Sequence, residues 1–180
     1  MIKRVLKIIG VLIGLVLVVL TVFLSNLIWF RPWSLNLFYE KVFIAFALDN
    51  PELLTSLGLV EQFGYRAHNA HLADASVEQV FKDQTRAKDN LAMLQRYDFR
   101  KQTPSQQLST RILTWFLQNS IEGEKFAFHN YPVNQLFGVQ SSLPDFMVNQ
   151  HRIPDRRGAE DYLSRLDEWG RQFDQVIAGL

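Results

Sequence analysis

With 180 residues, the chain has room for one domain, or part of one, beyond any membrane segment. It contains no cysteine, which excludes disulfides, thiolate zinc sites and cysteine nucleophiles within this chain. The formal net charge is +1, but Lys3, Arg4 and Lys7 cluster at the start. The residues after Lys7 carry 16 basic against 18 acidic side chains, so the basic footprint of a nucleic-acid binder is missing.

Ile8 to Ile28 (IIGVLIGLVLVVLTVFLSNLI) holds 16 Ile, Leu, Val or Phe residues among 21 and no charge. At roughly 1.5 Å per residue a helix of this length reaches about 30 Å, the hydrocarbon thickness of a bilayer. A cleaved secretory signal shares the basic start and the apolar run. Its apolar core is shorter, at about 7–15 residues, and a small-x-small site should come next, where Asn26-Leu-Ile-Trp-Phe-Arg-Pro-Trp stands instead. Trp29, Phe30 and Trp33 around Arg31 match an interfacial aromatic belt, and the early cations place the N-terminus in the cytoplasm. The expected organisation is residues 1–32 as basic start and single-pass anchor in the inner membrane. Residues 33–180 then form a helical region on the periplasmic or extracellular side, with the lipid bilayer as first partner.

Ser34 opens an apolar helix to about Leu48 (Leu35, Leu37, Phe38, Val42, Phe43, Ile44, Phe46), expected to be buried on most sides. Asn50-Pro51 reads as cap and first-turn proline of a short helix, PELLTSL, that Gly58 can stop. Glu61 to Asp74 lacks a clean period and reads as a loop. Ser76, with Gln79 completing a capping box, starts a third helix whose face is Val77, Val80, Phe81, Ala87, Leu91 and Leu94, ending near Tyr97. Thr103-Pro104-Ser105-Gln106 starts a fourth, with Leu108, Ile112, Trp115 and Phe116 expected inward. The two should pair as an antiparallel hairpin. Phe126 to Val139 (FAFHNYPVNQLFGV) has no helical period and reads as an extended, largely buried excursion. A short helix starts at Ser142-Leu-Pro-Asp. A last one from about Gly158 carries Ala159, Tyr162, Leu163, Leu166, Trp169, Phe173 and Val176 on one stripe. No strand alternation is sustained, so the class is all-α with one irregular segment at about 126–140.

Sites are sparse. The metal-like spacing is His68-x-x-His71 with Asp74, which would share a face only on a helix, and no His is followed by Glu as a zincin motif requires. Gly-x-Ser-x-Gly and phosphate-loop patterns do not occur. The acidic pairs Glu160-Asp161 and Asp167-Glu168 read as a solvated helix face. Among apolar neighbours, Asn130, Asn134 and Gln135 either hydrogen-bond local backbone or present amides as the wall of a peptide-binding cleft.

The run YPVNQLFGVQSSLPDFMVNQHRI, followed by AEDYLSRL and DQVIAGL and preceded by PELLTSLGL and DASVEQ, resembles the bacterial family known as domain of unknown function 885, over about residues 50 to 180. The resemblance implies a mostly helical, metallopeptidase-like protein several times longer than this chain, membrane-attached or exported, with a His-Glu zinc motif far downstream. In such a protein a downstream Glu would activate a zinc-bound water. None of the matching positions here belongs to that motif, so no catalytic residue and no metal ligand carries over, and the chain alone is expected to be inactive. The expected partners are the missing C-terminal part of the same protein and, in the longer form, a peptide substrate. A complete bitopic interaction or scaffold module is the alternative reading.

Overall fold

A computed structural model describes residues 2–180. Its helices run in chain order as α1 (Ile2–Trp29), α2 (Leu35–Leu48), α3 (Pro51–Leu57), α4 (Val77–Leu94), α5 (Pro104–Glu122), α6 (Val139–Asn149), α7 (Arg156–Asp167) and α8 (Trp169–Ala178). No strand occurs among the described residues, so the all-α class holds. Single 3-10 turns interrupt the 61–74 loop at Glu61–Phe63 and Ala67–Ala70.

Helix α1 is long and apolar enough over Ile9–Trp29 to cross a membrane, and none of that stretch is buried against the protein. The side chains of Lys3 and Arg4, on which the expected orientation rests, lie outside the described residues. The end of α1 is fastened to the segment that leads into α2. Asn26 donates through Nδ2 to the Arg31 carbonyl (3.1 Å) and accepts from the Trp33 amide (3.2 Å), which folds the chain back. Trp33 packs beside Phe23, ring centroids 6.2 Å apart. Lys41 Nζ donates to the Ile28 carbonyl at 2.9 Å, supplying a partner that the last turn of a helix otherwise lacks.

Beyond α1 the helices pack in two groups. In the first, α2 lies on the α4–α5 hairpin around Leu35, Phe38, Ala87, Leu94 and Leu117, with Phe38 fully enclosed. The hairpin forms as expected because Thr103 and Gln106 cap α5 reciprocally. At α4 the box is half made: Ser76 Oγ accepts from the Gln79 amide, but the Gln79 side chain bonds Asp83, four residues on. In the second group, α3, the segment after it, α6, α7 and α8 enclose Leu54, Leu72, Leu143, Phe146 and Met147. Gly58, at φ 61°, closes α3 in the left-handed region where a Cβ is strained.

Several expectations are corrected. The face of α5 turned inward is Thr110, Leu113, Leu117 and Ile121, while Leu108, Ile112, Trp115 and Phe116 are each more than half exposed. Both stripes are apolar at helical spacing. The enclosed one, which shares a cluster with Ala87 of α4, carries a threonine and three aliphatic side chains, and the exposed one carries both aromatic rings. Phe81 of α4 is likewise exposed, and α2 exposes Phe43, Ile44, Phe46 and Leu48 and so is not buried on most sides. Helix α6 begins a turn earlier than Ser142, at Val139. Pro144 sits inside it at the cost of one backbone hydrogen bond. The last helix divides at Glu168, whose carboxylate accepts from the His71 ring and the Leu72 amide instead of capping α8.

The 126–140 segment is irregular as expected but not buried: Tyr131, Leu136 and Phe137 are 82%, 71% and 85% exposed. Its polar backbone is satisfied by a self-contained turn, so it has no need of a core around it. Asn134 Oδ1 accepts from the Leu136 and Phe137 amides (3.0 and 2.9 Å), Gln140 Nε2 donates to the Asn134 carbonyl, and the Val139 amide donates to the Pro132 carbonyl (2.9 Å). A Cβ on Gly138 would clash with the backbone of Asn134. Gly138→Ala should therefore open this turn and raise protease cleavage between Tyr131 and Val139, while Gly123→Ala, where a Cβ meets open space, should leave the cleavage pattern unchanged.

Candidate functional site: a buried arginine hub

The second group is organised by a cation. Arg165 falls on the inward side of α7 together with Gly158 and Tyr162, and its side chain has no solvent exposure. Its Nε donates to the His71 carbonyl (2.9 Å). Nη2 donates to Thr55 Oγ1 (2.8 Å) and to the His68 and Pro51 carbonyls (2.9 and 3.3 Å), and Nη1 donates to His151 Nδ1 (2.9 Å). The guanidinium also lies over the Phe146 ring, 5.0 Å from its centroid. All three nitrogens make hydrogen bonds, so the group ties α3, the 67–72 segment, α6 and α7 together.

Burial pushes the Arg165 pKa down to about 10, opposed by the carboxylates of Glu52, Asp161, Glu168 and Glu61, and the side chain stays charged at neutral pH. None of these carboxylates bonds it directly. Three of them hold the shell around it. Glu52 accepts from the Ala73 amide (3.0 Å), Glu61 accepts from His68 Nε2 (2.9 Å), and Glu168 accepts from His71 Nδ1 (2.9 Å) and the Leu72 amide (2.7 Å). Burial works to raise the Glu168 carboxyl, but the bonds from His71, Leu72 and Arg171 outweigh it and hold the group below the ordinary range. Glu168 is thus a member of the hub shell and not of a solvated face.

His151 accepts from Arg165 at Nδ1, so its proton sits on Nε2, which donates to the Gly158 carbonyl (3.3 Å). Burial, with Arg165 adding to it, lowers the His151 pKa from 6.5 despite the Gly158 bond. The unfolded chain therefore binds a proton that the folded chain refuses. This contribution to stability is complete above 6.5 and is lost as the pH falls from there toward the lowered folded value. Unfolding midpoints measured on both sides of pH 6.5 should show that dependence, and His151→Gln should flatten it.

The structure separates the residues that the sequence singles out. His68 is buried on Glu61, with Nδ1 lacking a protein partner, whereas His71 is exposed on Glu168. Asp74 accepts from the Ser76 amide (3.0 Å), a bond that holds its carboxyl below the ordinary range, and from Gln175 (2.8 Å). The backbone after Ala70 is extended, so the three do not share a helical face, and no cluster of three His, Asp or Glu suited to a metal occurs among the described residues. Asn134 spends its amide on its own turn, while Asn130 and Gln135 are exposed beside it. Sequence reasoning missed Arg165. The available signal was a cation inside the stripe Tyr162, Leu166, Trp169, at a spacing that places it inward.

A groove of about 600 Å³ runs between α2, α4 and α5. Val42, Phe43, Phe46, Leu113 and Phe116 line it, and the Asp49–Arg86 ion pair lies at its edge.

An N-terminal helix apolar enough to cross a membrane, leading into an all-helical region closed on a buried, carbonyl-bound arginine, defines the class of protein. The chain belongs to the family described as bacterial protein of unknown function (DUF885), whose model matches residues 51–180. The match takes in every residue that bonds the hub and leaves out α1 and α2. Comparison with curated proteins and with solved structures gives no match.

Proposed function

We propose that this chain is the membrane-anchored N-terminal helical region of a metal-dependent, peptidase-like protein and lacks the catalytic metal motif itself. The observation that carries the reading is the apolar surface left on the family-matched segment, although that segment already has an enclosed interior. Leu108, Ile112, Trp115 and Phe116 form one exposed stripe, and Tyr131, Leu136 and Phe137 a second exposed patch. Contiguous apolar surface of this kind marks a face made for covering. Downstream helices of the longer protein would cover the stripe, and Asn130 and Gln135, beside the second patch, would stand on the wall of the completed cleft. In this arrangement α1 spans the inner membrane and the helical region faces the periplasm or exterior. Zinc and peptide substrate belong to the longer form. The test is to read the gene past the Leu180 codon: an open frame carrying a His-Glu metal motif supports the proposal, and an immediate stop codon overturns it.

The groove between α2, α4 and α5 favours a second reading, a bitopic interaction module whose partner fills it. Pull-down of the intact chain from solubilised membranes separates the two. A stoichiometric partner lost in a Phe43→Asp, Phe116→Asp variant supports the module, and recovery of the chain alone counts against it.

A further inference from the structure

We propose that the α4–α5 connector and the first turns of α5 join the exit of α1 in a basic and aromatic collar that lies on an anionic phospholipid surface. The proposal rests on α1 spanning a bilayer and goes beyond it by assigning headgroup contacts to residues far from the anchor in sequence. Arg31, just after α1, donates through Nη1 to the Arg96 carbonyl, 65 positions on, at 2.6 Å, and its guanidinium lies over the Tyr97 ring at 5.0 Å. Tyr97 Oη donates to the Pro32 carbonyl (2.5 Å), and Gln106 Nε2 donates to Asn36 Oδ1 (2.9 Å). The end of α4, its connector and the start of α5 are therefore held at the level where α1 would leave the bilayer.

The charges are segregated along the same direction. Arg31, Lys41, Arg96, Arg100, Lys101 and Arg111 stand at this end with only Glu40 and Asp98 among them. The remainder of the chain after Lys7 carries ten cations and sixteen carboxylates. Arg31, Arg96, Arg100, Lys101 and Arg111 are exposed, as are Trp29, Phe30, Trp33 and Phe99 beside them. Cations and amphipathic aromatics on one rim fit a layer of lipid phosphates over acyl chains, and each cation near an anionic surface strengthens the attraction about fivefold.

The chain has no cysteine, so a spin label can be placed uniquely. The full chain is reconstituted into vesicles of phosphatidylcholine alone or with about 30 mol% phosphatidylglycerol, an anionic content sufficient for a surface potential. Labels go at Ser105→Cys in the collar and at Gln118→Cys near the other end of α5, and relaxation by a nickel-chelating lipid reports headgroup proximity. The expected result is stronger relaxation at 105 than at 118 in the anionic vesicles, weakened at about 0.5 M salt, where charges are screened within a few ångströms. Arg96→Gln, Arg100→Gln and Lys101→Gln together should weaken docking about a hundredfold. Equal relaxation at the two positions, or no dependence on lipid charge and salt in a chain that resists alkaline carbonate, overturns the collar and leaves the anchor standing. Release of the chain by carbonate overturns both.

Discussion

Replacing Arg165 with Met should lower the unfolding free energy by about 3–5 kcal/mol, the scale seen when one partner of a buried charged network is removed. Met keeps much of the apolar stem but supplies no donor. The His71 carbonyl and the buried His151 Nδ1 would then lose the donor they have, while the Pro51 and His68 carbonyls and the Thr55 hydroxyl would keep only their local bonds to Thr55, the His71 amide and Asn69. Arg165→Lys should recover little, since an ammonium has three donors in a compact cone and cannot span acceptors arranged around a planar fork. Thermal unfolding of the full chain in detergent, followed by circular dichroism, measures the effect. Arg156→Met is the control. It removes an exposed i,i+4 pair with Glu160 and should change stability by less than about 1 kcal/mol. Equal destabilisation by the two substitutions would show that the hub carries no special weight.

The second large effect belongs to the other packed group. Phe38→Ala should cost about 3–5 kcal/mol, because the ring is fully enclosed between Tyr39, Tyr97 and the hairpin and its removal leaves a cavity. The corrected face of α5 gives an internal comparison. Leu117→Ala should cost about 2–5 kcal/mol, and Ile112→Ala, on the exposed stripe, about 0.5 kcal/mol or less. The reverse order would restore the inward face suggested by the bulkier residues. Phe38 lies before the family-matched segment, so a piece cut at Pro51 should lose this group's packing even though the match begins there.

Element positions were legible where local chemistry fixes them. The capping signals at Ser76 and Thr103, the first-turn Pro51 and the Gly58 stop mark helix ends through backbone requirements that do not depend on tertiary partners, whereas Asn50, read as a cap, makes no capping bond and donates instead to the Phe46 carbonyl (2.6 Å). Facing was less legible. Helix α5 has two apolar stripes, and periodicity cannot say which is enclosed when both obey it. The hub was hidden for a different reason. Its acceptors are mostly backbone carbonyls, at Pro51, His68 and His71, and a carbonyl leaves no mark in the sequence. The histidines that attracted attention as metal candidates contribute those carbonyls and bond carboxylates through their rings. His151, which directly contacts the cation, has no distinctive neighbour pattern.

The hub also sets an order of events during synthesis. Arg165 reaches back 94 residues to His71, 110 to Thr55 and 114 to Pro51, whereas the α4–α5 hairpin closes locally. At about 5–20 residues per second, the ribosome delivers Arg165 roughly 5–20 s after α3 has been made. During that interval the hairpin can form, but Leu54 and Leu72 have no α7 or α8 to close over them. The nascent chain thus holds a half-built apolar surface until α7 and α8 arrive, and that waiting period is where premature association or chaperone capture would act.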